Sequence, residues 1–315
     1  MQSVIDEIKR LKKEKNAVIL AHYYVNDEVQ DIADYIGDSY YLSKKATEVS
    51  EQVIVFCGVS FMGESAKILN PDKLVLMPDN LANCPMAHMA DIDYIEKLRS
   101  EYDDLAVVCY INSTAELKIH SDVCVTSSNA LKIVKALPNK NIFFIPDENL
   151  GRYIASLVPE KNFIFNDGFC HVHKSITKEN VLKAKNAKPN ALVLVHPECT
   201  MDVLELADYI GSTSGIIDFA TNSDASEFII CTEMGVLHEL TMKNPNKKFY
   251  SVGIRQFCPN MKKVTLEKVR DVLINEDNVV EVSDEVRQKA SIPLTRMLEL
   301  TKYFHVIKSN KQVTK

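Results

Sequence analysis

The chain has 315 residues, 46% hydrophobic and 25% charged, the balance of an ordinary globular protein with room for about two domains or three small ones. Lys plus Arg number 37 against 43 Asp plus Glu, a formal charge of −6, which argues against general nucleic-acid binding through clustered positive charge. No apolar run approaches the roughly 18 residues of a membrane span, and the N-terminal Met1-Gln-Ser-Val-Ile-Asp-Glu-Ile-Lys-Arg10 lacks the apolar core of a signal peptide. No membrane association and a cytoplasmic location are therefore expected.

In chain order, a charged amphipathic helix opens the sequence. The apolar runs Ala17–Ala21, Val53–Phe56 and Lys73–Met77 then read as strands. Asp91–Ser100 is amphipathic and reads as a helix. The runs Leu105–Cys109, Ile142–Ile145 and Asn162–Phe165 repeat the strand pattern, with a helical stretch at Leu131–Leu137. Ala191–Val195, Glu227–Ile230 and Lys248–Ser251 repeat it once more. Such runs suit parallel sheets covered on both faces, and strand–helix alternation implies right-handed crossovers in a three-layer α/β unit. A further strand-like run, Asn278–Val282, precedes a final helix from Asp284 to Thr301, and the tail from Lys308 reads as frayed.

These elements belong to an internal repeat. Ile32-Ala-Asp-Tyr-Ile-Gly-Asp-Ser39 matches Leu206-Ala-Asp-Tyr-Ile-Gly-Ser-Thr213 at an offset of 174 residues. The same offset links His22 with His196, Cys57 with Cys231 and Cys84 with Cys258. A middle copy lies halfway, since Asn70-Pro-Asp-Lys, Val158-Pro-Glu-Lys and Asn244-Pro-Asn-Lys are spaced by 88 and 86. The expected fold is α/β: three homologous αβα three-layer domains over 1–104, 105–190 and 191–277. A C-terminal strand and helix, 278–315, would pack back on them.

Polar residues gather at matching points of the three copies. The first strands end in His22-x-Tyr24, Tyr110-x-Asn112 and His196-x-Glu198; if the chain is still extended there, i and i+2 share a face. Ligands collect beyond the carboxyl ends of strands in open α/β sheets, although such residues also simply hydrogen-bond loops. Next come the hydroxyls Ser39, Ser127 and Thr213, each at or before a helix start, with Ser212 beside the last. An N-cap role explains each alone, and an anion site at converging helix starts explains all three.

Eight cysteines occur without any Cys-x-x-Cys, and neither a dinucleotide-binding glycine motif nor a P-loop is present. Cys109, Cys124 and Cys231 lie in apolar runs and read as core. Cys84 (Asn83-Cys-Pro-Met), Cys170 (Gly168-Phe-Cys-His-Val-His) and Cys258 (Phe257-Cys-Pro-Asn-Met) each follow a third strand, at spacings of 86 and 88. Three converging thiolates suit an iron–sulfur cluster or zinc, the latter with His171 or His173 as a fourth ligand.

With these motifs assembled, the chain resembles the quinolinate synthase family over nearly its whole length. Ile36-Gly-Asp-Ser39, Tyr110-Ile-Asn112, Gly168-x-Cys-x-Val-His173, His196-Pro-Glu198 and Gly211-Ser-Thr213 carry the resemblance. It implies three αβα domains around a pseudo-threefold axis. It also implies a transferase that condenses iminoaspartate (iminosuccinate) with dihydroxyacetone phosphate, giving quinolinate, phosphate and two waters for NAD biosynthesis. The family cofactor is one [4Fe–4S] cluster per chain on three cysteines, here Cys84, Cys170 and Cys258, with its fourth iron open to substrate as a Lewis acid. The implied substrate contacts are His22, Ser39, Tyr110, Ile111, Asn112, Ser127, His196, Pro197, Glu198 and Thr213, with Ser212 as a neighbouring donor. Glu198 would be the general base, His196 would assist, and Tyr24 would move protons. A transient contact with the enzyme supplying iminoaspartate is a further implied partner. Two departures stand out: Cys258 lacks the Cys-x-x-Cys-x-x-Cys setting of some relatives, and no Trp precedes the middle cysteine. The competing readings are another [4Fe–4S] hydro-lyase acting on a di- or tricarboxylate, and an iron–sulfur sensor or zinc scaffold. A scaffold would not require the polar pairs.

Overall fold

The computed structural model describes residues 1–253 and 256–312, with side chains of the last helix described as far as 302. Its frame is three parallel four-stranded sheets. The first contains β1 (Ala17–His22), β2 (Tyr35–Gly37), β3 (Val53–Cys57) and β4 (Leu74–Leu76), in the order β2-β1-β3-β4. The second contains β5 (Leu105–Tyr110), β6 (Val123–Val125), β7 (Asn141–Ile145) and β8 (Asn162–Phe165), and the third β9 (Leu192–Val195), β10 (Tyr209–Ile210), β11 (Glu227–Cys231) and β12 (Lys248–Tyr250). Both repeat the same order, β6-β5-β7-β8 and β10-β9-β11-β12. The central strands are buried along nearly their whole length, as expected for sheets covered on both faces by helices.

Nine of these strands coincide with the expected apolar runs. β2, β6 and β10 do not, because they are two or three residues long and carry no run of their own. What fixes them is an aspartate just ahead of each. The carboxylates of Asp34, Asp122 and Asp208 accept from the backbone N–H of Ile19, Val107 and Val193 at 2.8, 2.7 and 2.7 Å. In return the aspartates' own N–H groups donate to the carbonyls of those same residues, each at 2.9 Å.

The Pro-x-Lys motif that marks the copies also has one structural task. Lys73, Lys161 and Lys247 reach the carbonyls that end the helix leading into β3, β7 or β11: Val49 for the first, Leu137 for the second, and Ala220 and Ser223 for the third. A cation there satisfies open carbonyls and complements the helix dipole.

Two expectations at the C-terminus change. The strand expected over Asn278–Val282 is reduced to one antiparallel bridge, Val279 to Leu76. The last helix runs Asp284–Gln312, beyond Thr301, so the tail expected to fray from Lys308 is helical to 312; residues 313–315 lie outside the described residues. This helix buries Ala290, Leu294 and Met297 against the core shared by the first two sheets. The helix Leu266–Asn275 packs on Gln2–Glu14 at the other end of the chain. Among the described residues, no helix is long and apolar enough to cross a membrane.

Asp122 is half-buried, accepts from Val107 N–H and pairs with Arg99 at 3.0 Å. Asp122→Ala is expected to lower unfolding free energy by about 1–3 kcal/mol, since a backbone donor loses its charged acceptor. Urea unfolding of the two proteins measures this, and equal stability would show that the aspartate does not hold the edge strand.

Candidate active site

The carboxyl ends of all three sheets open onto one cavity with about 760 Å³ of free space, part of it open to solvent. His22, Tyr24, Ser39 and Cys84 reach it from the first repeat, Tyr110, Asn112, Ser127, Cys170 and His173 from the second, and His196, Glu198, Thr213, Glu233 and Cys258 from the third.

Two of the three polar pairs meet there by a route other than the expected one. The chain is not extended beyond β1 and β9; it turns, and the backbone N–H two residues on donates back to the ring. Tyr24 N–H reaches His22 Nδ1 at 3.2 Å, and Glu198 N–H reaches His196 Nδ1 at 3.4 Å. Each ring therefore carries its proton on Nε2, and His196 Nε2 faces Ser127 Oγ at 3.3 Å.

The hydroxyls are freed by their neighbours. Ser39 and Thr213 are the first residues of helices Ser39–Glu48 and Thr213–Asn222, and the preceding side chains do the capping. Asp38 accepts from Tyr41 N–H at 3.0 Å, and Ser212 from Gly215 N–H at 3.2 Å. Ser212 is thus occupied as a cap and does not line the cavity. Ser127 lies in the turn before helix Ala130–Ala136. Ile111 and Pro197 are buried and also absent from the lining, so side-chain contact there falls to their neighbours.

A hydrogen-bonded chain crosses all three repeats. Thr213 Oγ1 lies 2.6 Å from the Tyr24 hydroxyl, which is 2.9 Å from Thr232 Oγ1. Thr232 Oγ1 is 2.8 Å from His173 Nε2. His173 Nδ1 stands 2.8 Å from Glu198 Oε2, at ion-pair range but without hydrogen-bond alignment. The His173 and His196 rings stack at 4.5 Å. Glu198 is 3% exposed, and its Oε1, like Asn112 Oδ1, has no partner among the described residues. Buried acceptors of that kind are normally satisfied, so they fit a ligand that brings donors.

Charge in the cavity is unevenly shared. Burial holds His22 and His196 down at about 3, against which Glu198 pulls upward; His173 adds to the lowering at His196. Both rings are neutral at physiological pH. Burial pushes the Glu198 carboxyl up, but His173 and then His196 outweigh it and leave it below the usual carboxylate range. Burial raises Tyr24 and Tyr110 well above an ordinary phenol. It also raises all three cavity thiols, Cys84 to about 12.

Cys57, Cys109, Cys124, Cys199 and Cys231 are wholly buried elsewhere. Among the described residues, the ligand atoms that come within 4.8 Å of one another are those of Cys170, His173 and Glu198. Cys84 and Cys258 fall outside that set. Zinc bonds of about 2.3 Å would draw thiolates to about 4 Å apart, so the three-cysteine zinc reading does not match this spacing. The donor set is compatible with a wider iron–sulfur group.

His173 stands in the sequence only as an alternative zinc ligand and as part of the Gly168-x-Cys-x-Val-His173 motif, with no role in the substrate site, and Thr232, Glu233 and Asp147 carry no expectation. Asp147 and Glu233 follow β7 and β11 at matching positions, where the first copy has Val59; the equal spacing was the available signal.

A family model described as NadA, Quinolinate synthetase A protein, matches residues 6–299. A protein named Quinolinate synthase from Fusobacterium nucleatum is 57% identical over 295 residues, covering 94% of this chain and 98% of that protein. Proteins of the same name from Caldicellulosiruptor bescii and Clostridioides difficile are 56% and 55% identical, covering 94% and 93% of this chain and 97% of each relative.

The neutral buried histidines set a pH dependence. The unfolded chain takes up protons at His22 and His196 as pH falls through about 6.5, whereas the fold resists until about 3. The metal-free protein should therefore lose stability as pH drops from 6.5 toward 3. Urea unfolding at pH 7.5 and 5.5 checks this, and His196→Gln should flatten the loss. A profile unchanged by His196→Gln would show that this ring is not held neutral.

Proposed function

The chain belongs to the quinolinate synthetase A family, and from that membership we propose that it condenses iminoaspartate with dihydroxyacetone phosphate. The products are quinolinate, phosphate and two waters, and the quinolinate feeds NAD biosynthesis. The observation that carries this reading is the meeting of three cysteines, one from each repeat, in the same buried cavity as an ionised Glu198 with an unpartnered oxygen. The division into units 1–104, 105–190 and 191–277 with a C-terminal segment 278–315 belongs to the proposal, because each unit then supplies one thiol.

Cys84, Cys170 and Cys258 would hold a [4Fe–4S] cluster. When bound through three cysteines, such a group supplies an iron without a protein ligand, and with it Lewis acidity. The remaining work falls to the chain's own groups. His22, Ser39, Ser127 and Thr213 would bind carboxylate or phosphate oxygens, and Tyr110 and Asn112 would orient the imine-bearing substrate. His196, protonated on Nε2, would donate toward the ligand and share Ser127. Ile111 and Pro197 would shape the backbone, and Ser212 would act by capping the helix that presents Thr213.

Glu198 is the general base in this account. It is ionised, buried and fixed beside His173, so it can take a proton from carbon without solvent competing. Tyr24, which keeps its phenolic proton, would donate it to the substrate during isomerisation or ring closure and be reprotonated along its hydrogen bonds to Thr232 and His173, with Glu198 2.8 Å from His173. Work in the cytoplasm, and a transient contact with the enzyme that releases iminoaspartate, complete the proposal; an imine hydrolyses in water, and close transfer protects it.

The test compares Glu198→Gln with Ser127→Ala, both verified for iron content, by following quinolinate formation from the two substrates. Glu198→Gln should lose about 10²–10⁴-fold in kcat, the usual contribution of a general base. Ser127→Ala should raise KM, by an amount corresponding to about 1.5–3 kcal/mol for a hydrogen bond to a charged group, with kcat near normal. Near-normal kcat in Glu198→Gln would remove the general-base role, and no quinolinate from the unaltered protein would remove the function.

A further inference from the structure

The three cysteine loops follow one plan with one exception. Two residues before each cysteine, a backbone carbonyl accepts from the start of the segment after the central strand: Ser60 N–H to Ala82 O at 2.8 Å, Glu148 N–H to Gly168 O at 2.8 Å, and Met234 N–H to Gln256 O at 2.7 Å. The donors are spaced by 88 and 86 residues and the acceptors by 86 and 88, the spacings of the repeat. The residue just before each donor breaks the symmetry: Val59, Asp147 and Glu233.

Each of the two acids braces its loop with both oxygens. Asp147 Oδ2 accepts from Cys170 N–H at 3.2 Å, and its Oδ1 accepts from Leu150 N–H at 2.7 Å. Glu233 Oε1 accepts from Cys258 N–H at 3.0 Å, and its Oε2 accepts from Gly235 N–H at 2.6 Å. Their exposures are 0% and 1%. Lys262 Nζ stands 4.0 Å from Glu233 Oε1. In the first repeat the Cys84 N–H instead meets the neutral, exposed Asn83 Oδ1 at 2.8 Å, which also accepts from Ser60 Oγ.

Burying a carboxylate is costly, and the first repeat closes the same backbone clamp with valine. The fold therefore does not demand an acid at this position. Nor are these acids free for proton transfer, because both oxygens of each are already engaged by N–H donors.

We propose that Asp147 and Glu233 are positioning residues for the cluster, fixing the Cys170 and Cys258 loops through their amides and making those two corners more electron-rich than the Cys84 corner. This rests on the cluster reading above. Iron–sulfur potentials respond to nearby charge and hydrogen bonds, and partners of metal ligands are commonly worth 10- to 100-fold in affinity.

The experiment uses the anaerobically purified holoenzyme and three variants: Asp147→Asn, Glu233→Gln and Asn83→Asp. Iron release to a chelator and the reduction potential of the cluster are both measured. Asp147→Asn and Glu233→Gln should release iron about 10-fold faster or more, and their potentials should rise. Asn83→Asp adds an acid at the Cys84 corner and should lower the potential; its exposed position keeps this arm available if a buried variant fails to fold. A purely structural brace would alter release and leave the potentials unmoved, and that result overturns the inference. So does an Asn83→Asp shift in the same direction as the other two. Unaltered protein without iron and sulfide would instead overturn the cluster reading, and the inference with it.

Discussion

An aspartate carboxylate accepting a backbone N–H from the neighbouring first strand sets the frame of this molecule, three times over. Asp34, Asp122 and Asp208 hold edge strands of two or three residues that have too few ladder bonds to hold themselves. Once each edge strand is pinned, the next segment of chain begins at a fixed place beside the end of the first strand. Ser39, Ser127 and Thr213 arrive there, and Asp38 and Ser212 take over the capping that would otherwise consume two of those hydroxyls. The cavity is the common consequence of three such arrangements ending side by side.

Inside that cavity, burial decides the chemistry more than any single contact does. It strips charge from His22 and His196 and keeps the thiols protonated in the absence of a partner. Glu198 alone goes the other way, because His173 stands 2.8 Å from it and His196 3.3 Å. That leaves an ionised Glu198, with one oxygen unpartnered among the described residues, in the same cavity as the neutral rings of His22 and His196. Burial and then Glu198 push the Asp147 carboxyl up, while the N–H groups of Leu150 and Cys170 pull it back down.

Much of this was legible in the sequence because repetition exposes what a single copy hides. Nine strands stood out as apolar runs, and Cys84, Cys170 and Cys258 stood out through matching spacings. The short strands were invisible because Tyr35-Ile-Gly37 and Tyr209-Ile210 have no period to detect, and their aspartate anchors act through backbone groups. Asp147 and Glu233 escaped because their counterpart is Val59, so residue type masked equal position. All three polar pairs line the cavity, but at His22/Tyr24 and His196/Glu198 a turn and a ring-directed N–H, not extended chain, bring the residues there. Ser212 looked like a ligand donor since sequence alone does not tell a cap from its neighbour.

In the proposed cluster three thiolates, and only three, would leave one iron for the substrate. Holoenzyme with isotopically labelled quinolinate, examined by Mössbauer and hyperfine spectroscopy, addresses it directly. The account predicts that saturating quinolinate changes the signature of a single iron and that the label couples to it. An unchanged spectrum at saturation, or a fourth protein ligand on that iron in the bound state, would contradict it.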